Sequence, residues 1–453
     1  MRIILAVFPT KHDIIKIYDC ILFLIGGTPM HELIELIKKD MVPALGVTEP
    51  GAVAFCVATA KKYSASKLKH ISVILNSGMY KNGFSCGIPH CDEVGSVYAA
   101  ALGYVAGDPS KGLECLDSVS QDELAEAKKL VESSMVSVTL GEITSRIYIE
   151  VRLLTETDSV TVIAQDSHTN ITEISVNGNA VYKNHPASSD TLSEEAHLIH
   201  RYSVSEMVDL ALTCPLEDIL FIKEAYRVNL ALMNEGLSNS RTTFARALLD
   251  LNGGEIISCS EEDTAVLMCG AAIEARVIGL DLPAMSITGS GAHGIIATLP
   301  LYALAKVSGV SEEMMLRATL LSYLICTYIK EYSGKLSAFC GCGIAAGTGM
   351  CAGLCLMKGG NAEDIGHAIN NMSASLTGMI CDGGNHGCTM KGISATATAF
   401  KSASLALKGV YIGTHGINAP TPEETMRNMG LIASPGMIAT EKTIVEIQSR
   451  MHK

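Results

Sequence analysis

The stretch IYIEVRLLTETDSVTVIAQDSHTNITEISVNGNAVY, residues 147–182, decides how the first half of the chain folds. Apolar and polar residues alternate over 147–154, 160–165, 171–176 and 180–182, and this period of two is typical of β-strands with one buried face. The turns at 155–158 and 177–179 separate these segments at hairpin distances. Together with two earlier segments, 71–75 and 135–140, the pattern predicts an antiparallel sheet.

Helical patterns surround this sheet. Apolar residues recur at helical spacing over 31–41, and Pro43 ends that helix. A helix of small residues is predicted over 51–63, and two more helices, 94–106 and 121–133, interrupt the strands. The loop at 44–50 therefore lies at a helix N-terminus, where free N–H groups favour an anion such as a substrate carboxylate.

The second half of the chain has the pattern of a helical bundle. Long apolar segments occur at 204–212, 216–234, 241–251, 261–280, 295–307, 311–330, 344–357, 362–380 and 392–408. Most are apolar round much of their circumference, as expected inside a large bundle. Charged residues within or beside them, such as Glu262, Arg276 and Lys391, argue against membrane spans. The predicted fold class is α+β, with an N-terminal domain of antiparallel sheet and helices followed by a large all-helical C-terminal domain.

The polar stretch 185–190, which contains Pro186, is the predicted linker between these domains. It gives a domain at 30–188 on the substrate side and a helical domain at 189–453. Residues 1–29 hold short apolar runs that suit neither a membrane span nor a signal peptide. We interpret them as an extended or wrongly assigned start, with Met30 as the natural beginning.

Composition narrows the class of protein. A chain of 453 residues that is 48% hydrophobic fits two globular domains. Its net charge of -13 and scattered basic residues argue against nucleic acid or an anionic membrane as a partner. Its fifteen cysteines are odd in number and sparse, and many lie in apolar helical segments, which favours a reducing cytoplasm over a disulfide scaffold.

Cysteines in glycine-rich settings are the first candidates for chemistry. Cys381 and Cys388 flank the polar loop 382–387, and Cys340 and Cys342 stand in a Cys-Gly-Cys-Gly sequence upstream. Such thiols suggest a metal or iron–sulfur site. Their spacing alone is weakly specific, and all of them could instead be small buried residues. The loop 382–387 favours the site, because polar, glycine-rich sequence is poor packing material.

Two further elements carry candidate residues. The sequence Thr-Gly-Ser-Gly-Ala-His-Gly-Ile at 288–295 runs into an apolar helix and is suited to hold a carboxylate or phosphate, or is a plain turn into that helix. The stretch 80–91 is interpreted as a loop that lines a substrate pocket through Lys81 and Asn82, with a metal held by Cys86, His90 and Cys91 as the alternative. His293 and His386 stand beside the proposed site, either as catalytic or as structural residues.

In their order along the chain, these motifs resemble the L-cysteine desulfidase family, a relative of the iron–sulfur L-serine dehydratases. The motifs are Pro-Ala-Leu-Gly-Val-Thr-Glu-Pro at 43–50, Lys-Asn-Gly at 81–83, Gly-Ser-Gly at 289–291, Cys-Gly-Cys-Gly at 340–343, Met-Ile-Cys-Asp-Gly at 379–383 and the sequence at 428–437. The resemblance covers about 30–446.

The resemblance implies a 4Fe-4S cluster held by three cysteines, with the fourth iron open to substrate and no pyridoxal phosphate. On this chain the ligands would be Cys381, Cys388 and a third thiol. The third is assigned to Cys340, and Cys342 is the alternative. The expected substrate-binding residues are Thr48, Lys81, Asn82, Ser290 and Gly291.

One departure from the family concerns the base. Family members carry a cysteine where this chain has Val47, and that thiol is the proposed acceptor of the substrate α-proton. Valine accepts no proton, so Glu49, His90, Cys91 or His293 would have to substitute.

We therefore predict a lyase that performs β-elimination on a small amino acid, converting L-cysteine to pyruvate, ammonia and sulfide. The alternatives are a catalytically impaired cluster-binding or sensing module, an L-serine dehydratase-like deaminase, and a structural helical protein with zinc or no metal. The expected partner is the amino acid, and a homodimer stays open.

Overall fold

The structure is a computed structural model that describes residues 31–184, 197–334 and 336–451. The first half of the chain is built on a sheet with helices, and the second half is a helical bundle. The helices of the first half are α1 (His31–Asp40), α2 (Thr48–Lys61), α3 (Ser77–Asn82), α4 (Ser96–Val105) and α5 (Gln121–Glu132). Those of the second half are α6 (Val204–Thr213), α7 (Leu216–Ile219), α8 (Lys223–Ser238), α9 (Phe244–Leu251), α10 (Glu261–Val277), α11 (Gly291–Ser308), α12 (Glu312–Ser333), α13 (Gly347–Met357), α14 (Ala362–Leu376), α15 (Gly387–Ala406), α16 (Pro422–Leu431) and α17 (Ile438–Met451). The α+β fold class is confirmed.

A six-stranded sheet forms the first half. The strands along the chain are β1 (Val42–Leu45), β2 (Leu68–Leu75), β3 (Gly87–Ile88), β4 (Cys91–Val94), β5 (Val136–Leu140), β6 (Tyr148–Thr155), β7 (Ser159–Gln165), β8 (Ile171–Val176), β9 (Asn179–Lys183) and β10 (Pro283–Ser286). The large sheet has the order β5-β2-β6-β7-β8-β9, and its last four strands form antiparallel hairpins as the alternation predicts.

One pair in this sheet runs parallel. β2 pairs antiparallel with β6 but parallel with β5, so the sheet is mixed where a purely antiparallel one was expected. Parallel neighbours need a long crossover, which is usually helical. The chain between β2 and β5 supplies it, because it contains α3, α4 and α5.

A small strand pair ties the two halves together. β1 pairs antiparallel with β10, from Val42 opposite Ser286 to Leu45 opposite Pro283. The second half therefore contains a strand, which the expectation of an all-helical domain omitted. Because the pair is antiparallel, β1 leads into α2 at one end of the pair and β10 leads into α11 at the other end.

Two hydrophobic clusters form the core. One lies between the large sheet and α2, α4 and α5, and the other fills the helical bundle. The helix α1 buries Leu33, Ile34 and Ile37 in the bundle cluster, although it precedes the sheet in the chain. The domain division at 188 stays a prediction, and the linker at 185–190 and the start at 1–29 lie outside the described residues.

The helix patterns match the observed elements closely. The predicted segments at 204–212, 261–280 and 311–330, for example, correspond to α6, α10 and α12. The patterns missed α3, α16 and α17, so Lys81 and Asn82 end a short helix where a loop was predicted. The segment at 216–234 is interrupted by a short 3-10 helix at Leu220–Ile222. No helix among the described residues has the length and apolar character needed to cross a membrane.

Candidate functional site

A cavity of about 150 Å³ lies where the sheet half meets the helical half. From the sheet half it is lined by Glu49, Asn82 and the turn that carries His168, and from the helical half by Ser290, His293 and the two thiols of Cys342 and Cys381. At about 30 Å³ per water molecule the space corresponds to about five waters. That is the scale of a small amino acid.

Backbone pairing brings the cysteine segments together. Phe339 and Ile380 form an isolated antiparallel bridge, the N–H of Cys340 donates to the Met379 carbonyl at 3.0 Å, and the N–H of Cys381 donates to the Ala338 carbonyl at 2.6 Å. Cys342 then begins a π-helical turn that leads into α13, and Cys388 lies in the first turn of α15. Segments that are distant in sequence thus place four thiols in one region.

These thiols differ in how readily they ionise, because burial opposes the effect of nearby positive charges and N–H donors. The pKa of Cys340 is lowered because the Cys342 thiol donates to its sulfur, with further help from the Gly343 N–H and from Lys391 and Lys81. Burial raises the pKa of Cys388 to about 12, against the opposing effects of the Asn385 N–H and Lys391. Burial also raises the pKa of Cys381, and the hydrogen bond with Cys340 raises the pKa of Cys342. Cys340 is therefore the one thiol of the four whose pKa is lowered, although Lys81 and Lys391 lie near the group.

The loop after Cys381 requires glycine. Gly383 has φ of +111°, and a Cβ at this position would stand 2.5 Å from the carbonyl oxygen of Lys81. Its own carbonyl accepts from the Cys388 thiol at 3.3 Å. Only a residue without a side chain fits, so the loop can turn tightly around the sulfur atoms.

The four thiols can be compared with the ligands that different metal groups need. Among the described residues no group of three His, Cys, Asp or Glu side chains could hold one metal ion. A single ion would need its sulfur ligands at about 2.3 Å from one centre. A 4Fe-4S cluster binds each thiolate to a different iron, so its ligands stand further apart. The four thiols, the backbone donors and the lysines fit such a group.

Glu49 is the centre of a hydrogen-bonded network at the cavity. Its Oε1 accepts from Asn82 Nδ2 at 2.9 Å, and its Oε2 accepts from the Thr48 hydroxyl at 3.0 Å. Asn82 also accepts from the Cys381 thiol at 3.7 Å through Oδ1. Burial would raise the pKa of the Glu49 carboxyl, but His168, Asn82 and Arg276 outweigh burial and lower the pKa to about 2. Glu49 is therefore an anion that is held in place.

His293 lines the opposite wall. Its Nδ1 lies 2.5 Å from the Thr288 hydroxyl, and a Cβ on Gly341 would stand 2.7 Å from its Nε2. Burial, with the charges of Lys330 and Arg276, lowers its pKa well below the usual range, so the ring is neutral. Ser290 is the N-cap residue of α11, but its side chain makes no cap hydrogen bond and belongs to the cavity lining.

Several predicted residues support the cavity without lining it. Lys81 is buried and donates to Glu441 Oε2 at 2.8 Å and to the Ser337 carbonyl at 2.9 Å. The Thr48 hydroxyl is used by Glu49, and Gly291 packs against Arg276, since a Cβ there would stand 2.7 Å from its Nε. Val47 is buried against the thiol loop, where a Cβ on Gly384 would stand 3.1 Å from Val47 Cγ1.

Other candidates lie away from the cavity. His90 interacts with the Asp117 carbonyl at 2.9 Å and with Asp281, and Cys91 is buried in the strand β4 beside Glu93. His386 is half exposed and lies 3.7 Å from Glu274. None of these three residues belongs to the cavity lining, so the expectation that His90 or Cys91 replaces the missing thiol has no geometric support.

The sequence interpretation missed His168, Asp40 and Lys330, which all line the cavity. His168 lies in the turn between β7 and β8. The residues around it have the polar composition of an ordinary hairpin turn. Asp40 and Lys330 lie at the ends of α1 and α12, where charged residues commonly face solvent. Only the three-dimensional arrangement brings them to the site.

Comparison with known proteins identifies the class. Residues 110–446 match the family model described as the serine dehydratase alpha chain, so the chain belongs to the serine dehydratase alpha-chain family. This result confirms the relation to serine dehydratases that the motifs indicate. It does not distinguish desulfidase from dehydratase activity.

Similar proteins cover nearly the whole chain. The UPF0597 protein of Clostridium botulinum is 38% identical over 431 residues, which are 93% of this chain and 99% of the relative. The UPF0597 protein of Porphyromonas gingivalis is 36% identical over 424 residues, or 92% of this chain and 98% of the relative. The UPF0597 protein of Photobacterium profundum is 35% identical over 416 residues, or 91% and 97%.

Proposed function

We propose that the chain is an iron–sulfur-dependent lyase that performs β-elimination on a small L-amino acid, most closely a cysteine desulfidase. The observation that carries the proposal is a group of four thiols, two of which, Cys342 and Cys381, line a small cavity. Membership of the serine dehydratase alpha-chain family supports a lyase reaction. The cavity volume of about 150 Å³ suits cysteine or serine.

Cys381 and Cys388, with Cys340 or Cys342, would hold the cluster. With three protein ligands one iron stays open, and it supplies Lewis acidity toward the substrate carboxylate and the leaving group. The geometry offers a distinction within the pair, because Cys342 lines the cavity beside Cys381 whereas Cys340 is buried behind it. Cys340 has the more strongly stabilised thiolate, since its pKa is lowered.

The residues of the chain position the amino acid. Asp40 and Glu49 are carboxylates in the lining, and they would hold the substrate ammonium group. The hydroxyl of Ser290, at the N-terminus of α11, would hold its carboxylate together with free N–H groups of the helix. Lys81 and Thr48 fix the network from behind, rather than contacting substrate directly.

The proposal is tested on protein purified without oxygen. We expect a brown sample with broad visible absorption, and pyruvate release from at least one member of a panel that contains L-cysteine and L-serine. Sulfide in equal amount to pyruvate identifies the desulfidase, and pyruvate without sulfide from serine identifies the deaminase. A colourless protein after anaerobic reconstitution with iron and sulfide, or silence across the panel, would overturn the proposal.

Single cysteine replacements identify the ligands. Either Cys381→Ser or Cys388→Ser should abolish the visible absorption. Of Cys340→Ser and Cys342→Ser, only the variant that removes a cluster ligand should lose the visible absorption. The matched controls are Cys351→Ser and Cys355→Ser on the neighbouring helix α13, where the thiols are buried away from the cavity.

A further inference from the structure

We infer that His168 is the general base that removes the substrate α-proton. This inference rests on the proposed lyase function and names the residue that takes over from the thiol that Val47 lacks. His168 is buried, with 8% of its surface exposed, and it lines the cavity. Its Nε2 is a buried atom without a hydrogen-bond partner among the described residues.

The ring is held between two elements of the site. His168 Nε2 lies 3.9 Å from Glu49 Oε1, slightly beyond hydrogen-bond distance. On its other side a Cβ on Gly289 would stand 3.6 Å from Cε1 and 3.7 Å from Nδ1 of the ring. The imidazole thus bridges the network of α2 and the glycine-rich turn before α11. Nε2 faces Glu49 and Nδ1 faces the glycine-rich turn, so Glu49 would stabilise a proton on Nε2 and Nδ1 would be the accepting nitrogen.

The turn that carries His168 is itself anchored. The N–H of Asp166 donates to the Ile147 carbonyl at 3.1 Å, and the Asp166 carboxylate accepts from Arg146 at 2.5 Å and 3.1 Å. Asn170 donates through Nδ2 to the Gln165 carbonyl at 3.0 Å. These contacts fix the hairpin on both sides of His168, so the ring is presented to the cavity by a rigid support.

The competing groups in the cavity are poorer proton acceptors. Both carboxylate oxygens of Glu49 already accept hydrogen bonds, from Asn82 and from Thr48, so it gains little by taking a proton. His293 has its Nδ1 engaged with Thr288, and burial lowers its pKa. His168 is different, because its Nε2 has no hydrogen-bond partner among the described residues and lies 3.9 Å from Glu49 Oε1.

The proton and electron balance is simple. His168 accepts the proton from Cα, the electron pair of the C–H bond forms the Cα=Cβ double bond, and the Cβ–S bond breaks with its electron pair leaving on sulfur. The imidazolium then returns its proton to the departing sulfide or to water. The released aminoacrylate hydrolyses to pyruvate and ammonium. No oxidant or reductant is consumed. Glu49, which would also contact the substrate ammonium group, stabilises the imidazolium.

The test compares His168→Ala and His168→Asn with the wild type in the cluster-loaded full chain. General base catalysis contributes about 10²- to 10⁴-fold, so kcat should fall by this factor while KM changes little. Added imidazole should raise the rate of His168→Ala and leave the rate of the wild type unchanged. Visible absorption and the melting temperature verify that each variant is folded and loaded. Thr169→Ala, at an exposed position of the same turn, is the matched control.

The outcomes separate the two claims. If the wild type is active and a folded, cluster-loaded His168 variant has a kcat within about threefold of it, His168 is not the base. The lyase function is then unaffected. A slow His168→Ala variant that imidazole does not rescue, with a normal rate in His168→Asn, also overturns it. A wild type that releases no pyruvate from any member of the panel overturns the lyase function, and the assignment of the base with it.

Discussion

Val47 is the residue at which this chain departs from the desulfidase pattern, and its surroundings explain why the departure is tolerated. The side chain is buried at the N-cap position of α2 and packs on Gly384 of the thiol loop. It is not part of the cavity lining. A valine there fills space next to the thiols, while other residues face the substrate.

Restoring the family thiol should therefore change little. We expect Val47→Cys to alter the rate of pyruvate release by less than about threefold, because a buried thiol has a raised pKa and stands outside the cavity. Val47→Thr is the matched control for the loss of a methyl group. A gain of more than about tenfold in Val47→Cys alone would show that the base position at 47 is dormant rather than replaced.

Glu49 gives a pH prediction with a definite sign. Its pKa in the folded chain is lowered from 4.5 to about 2, so its contribution to stability is complete above pH 4.5 and is lost as the pH falls from 4.5 toward 2. At about 1.4 kcal/mol per pH unit the loss amounts to about 3 kcal/mol.

The measurement is thermal unfolding of the metal-free wild type and Glu49→Gln at pH 6 and at pH 3. The stability advantage of the wild type should be smaller at pH 3, because the glutamine variant has no carboxyl to protonate at this site. An advantage that is equal at both pH values would contradict the ionised, hydrogen-bonded state of Glu49. The exposed variant Glu446→Gln serves as the control for general charge effects.

The terminal helix α17 forms hydrogen bonds with the thiol loop, residues 382–387, and with a lysine next to it. Gln448 Nε2 donates to the Asp382 carbonyl at 2.8 Å, and Glu441 accepts from the buried Lys81 at 2.8 Å. The helix therefore touches the chain directly after Cys381 and the lysine whose charge faces that sulfur. The terminal helix holds the surroundings of the thiols in place.

Removing one of these contacts should make the cluster less durable. We expect Gln448→Met to lose its visible absorption in air about fivefold faster than the wild type, since one hydrogen bond is worth about 1 kcal/mol. The melting temperature of the metal-free protein should change little. Lys442→Met, on the exposed side of α17, is the control. Equal lifetimes of the absorption in Gln448→Met and the wild type would show that this hydrogen bond has no influence on the cluster.

Local patterns predicted the elements better than their pairing. The alternation at 171–176 predicted β8 to the residue, because strand periodicity is contained within the strand itself. The parallel pairing of β2 with β5 and the pairing of β1 with β10 join distant segments, and no local pattern encodes them. The helix α17 was missed for a related reason, since few apolar residues mark its buried face.

The cavity shows the same difference between what local sequence patterns predict and what depends on contacts between distant segments. The motifs pointed to Glu49, Asn82, Ser290, His293 and the thiol segments, all of which meet at one cavity. They could not point to His168, because a single histidine in a hairpin turn has no sequence signature. Its position depends on how the sheet is placed against the helical bundle. A site made by two halves of a chain is visible only once both are assembled.

A cavity built from both halves should respond to ligand on both of its walls. L-Alanine resembles the proposed substrates but has no leaving group, so it should bind without reacting. Binding at about a hundredfold excess over Kd stabilises the closed state by about 2.7 kcal/mol and slows local opening by up to about a hundredfold. We expect slower amide hydrogen exchange at 166–169 in the sheet half and at 288–293 and 340–343 in the helical half. D-Alanine is the matched control, because its mirror-image arrangement cannot place the ammonium, carboxylate and methyl groups as L-alanine does. Protection confined to the helical half would show that the turn with His168 does not contact the bound amino acid, and protection in neither half would place the binding site elsewhere.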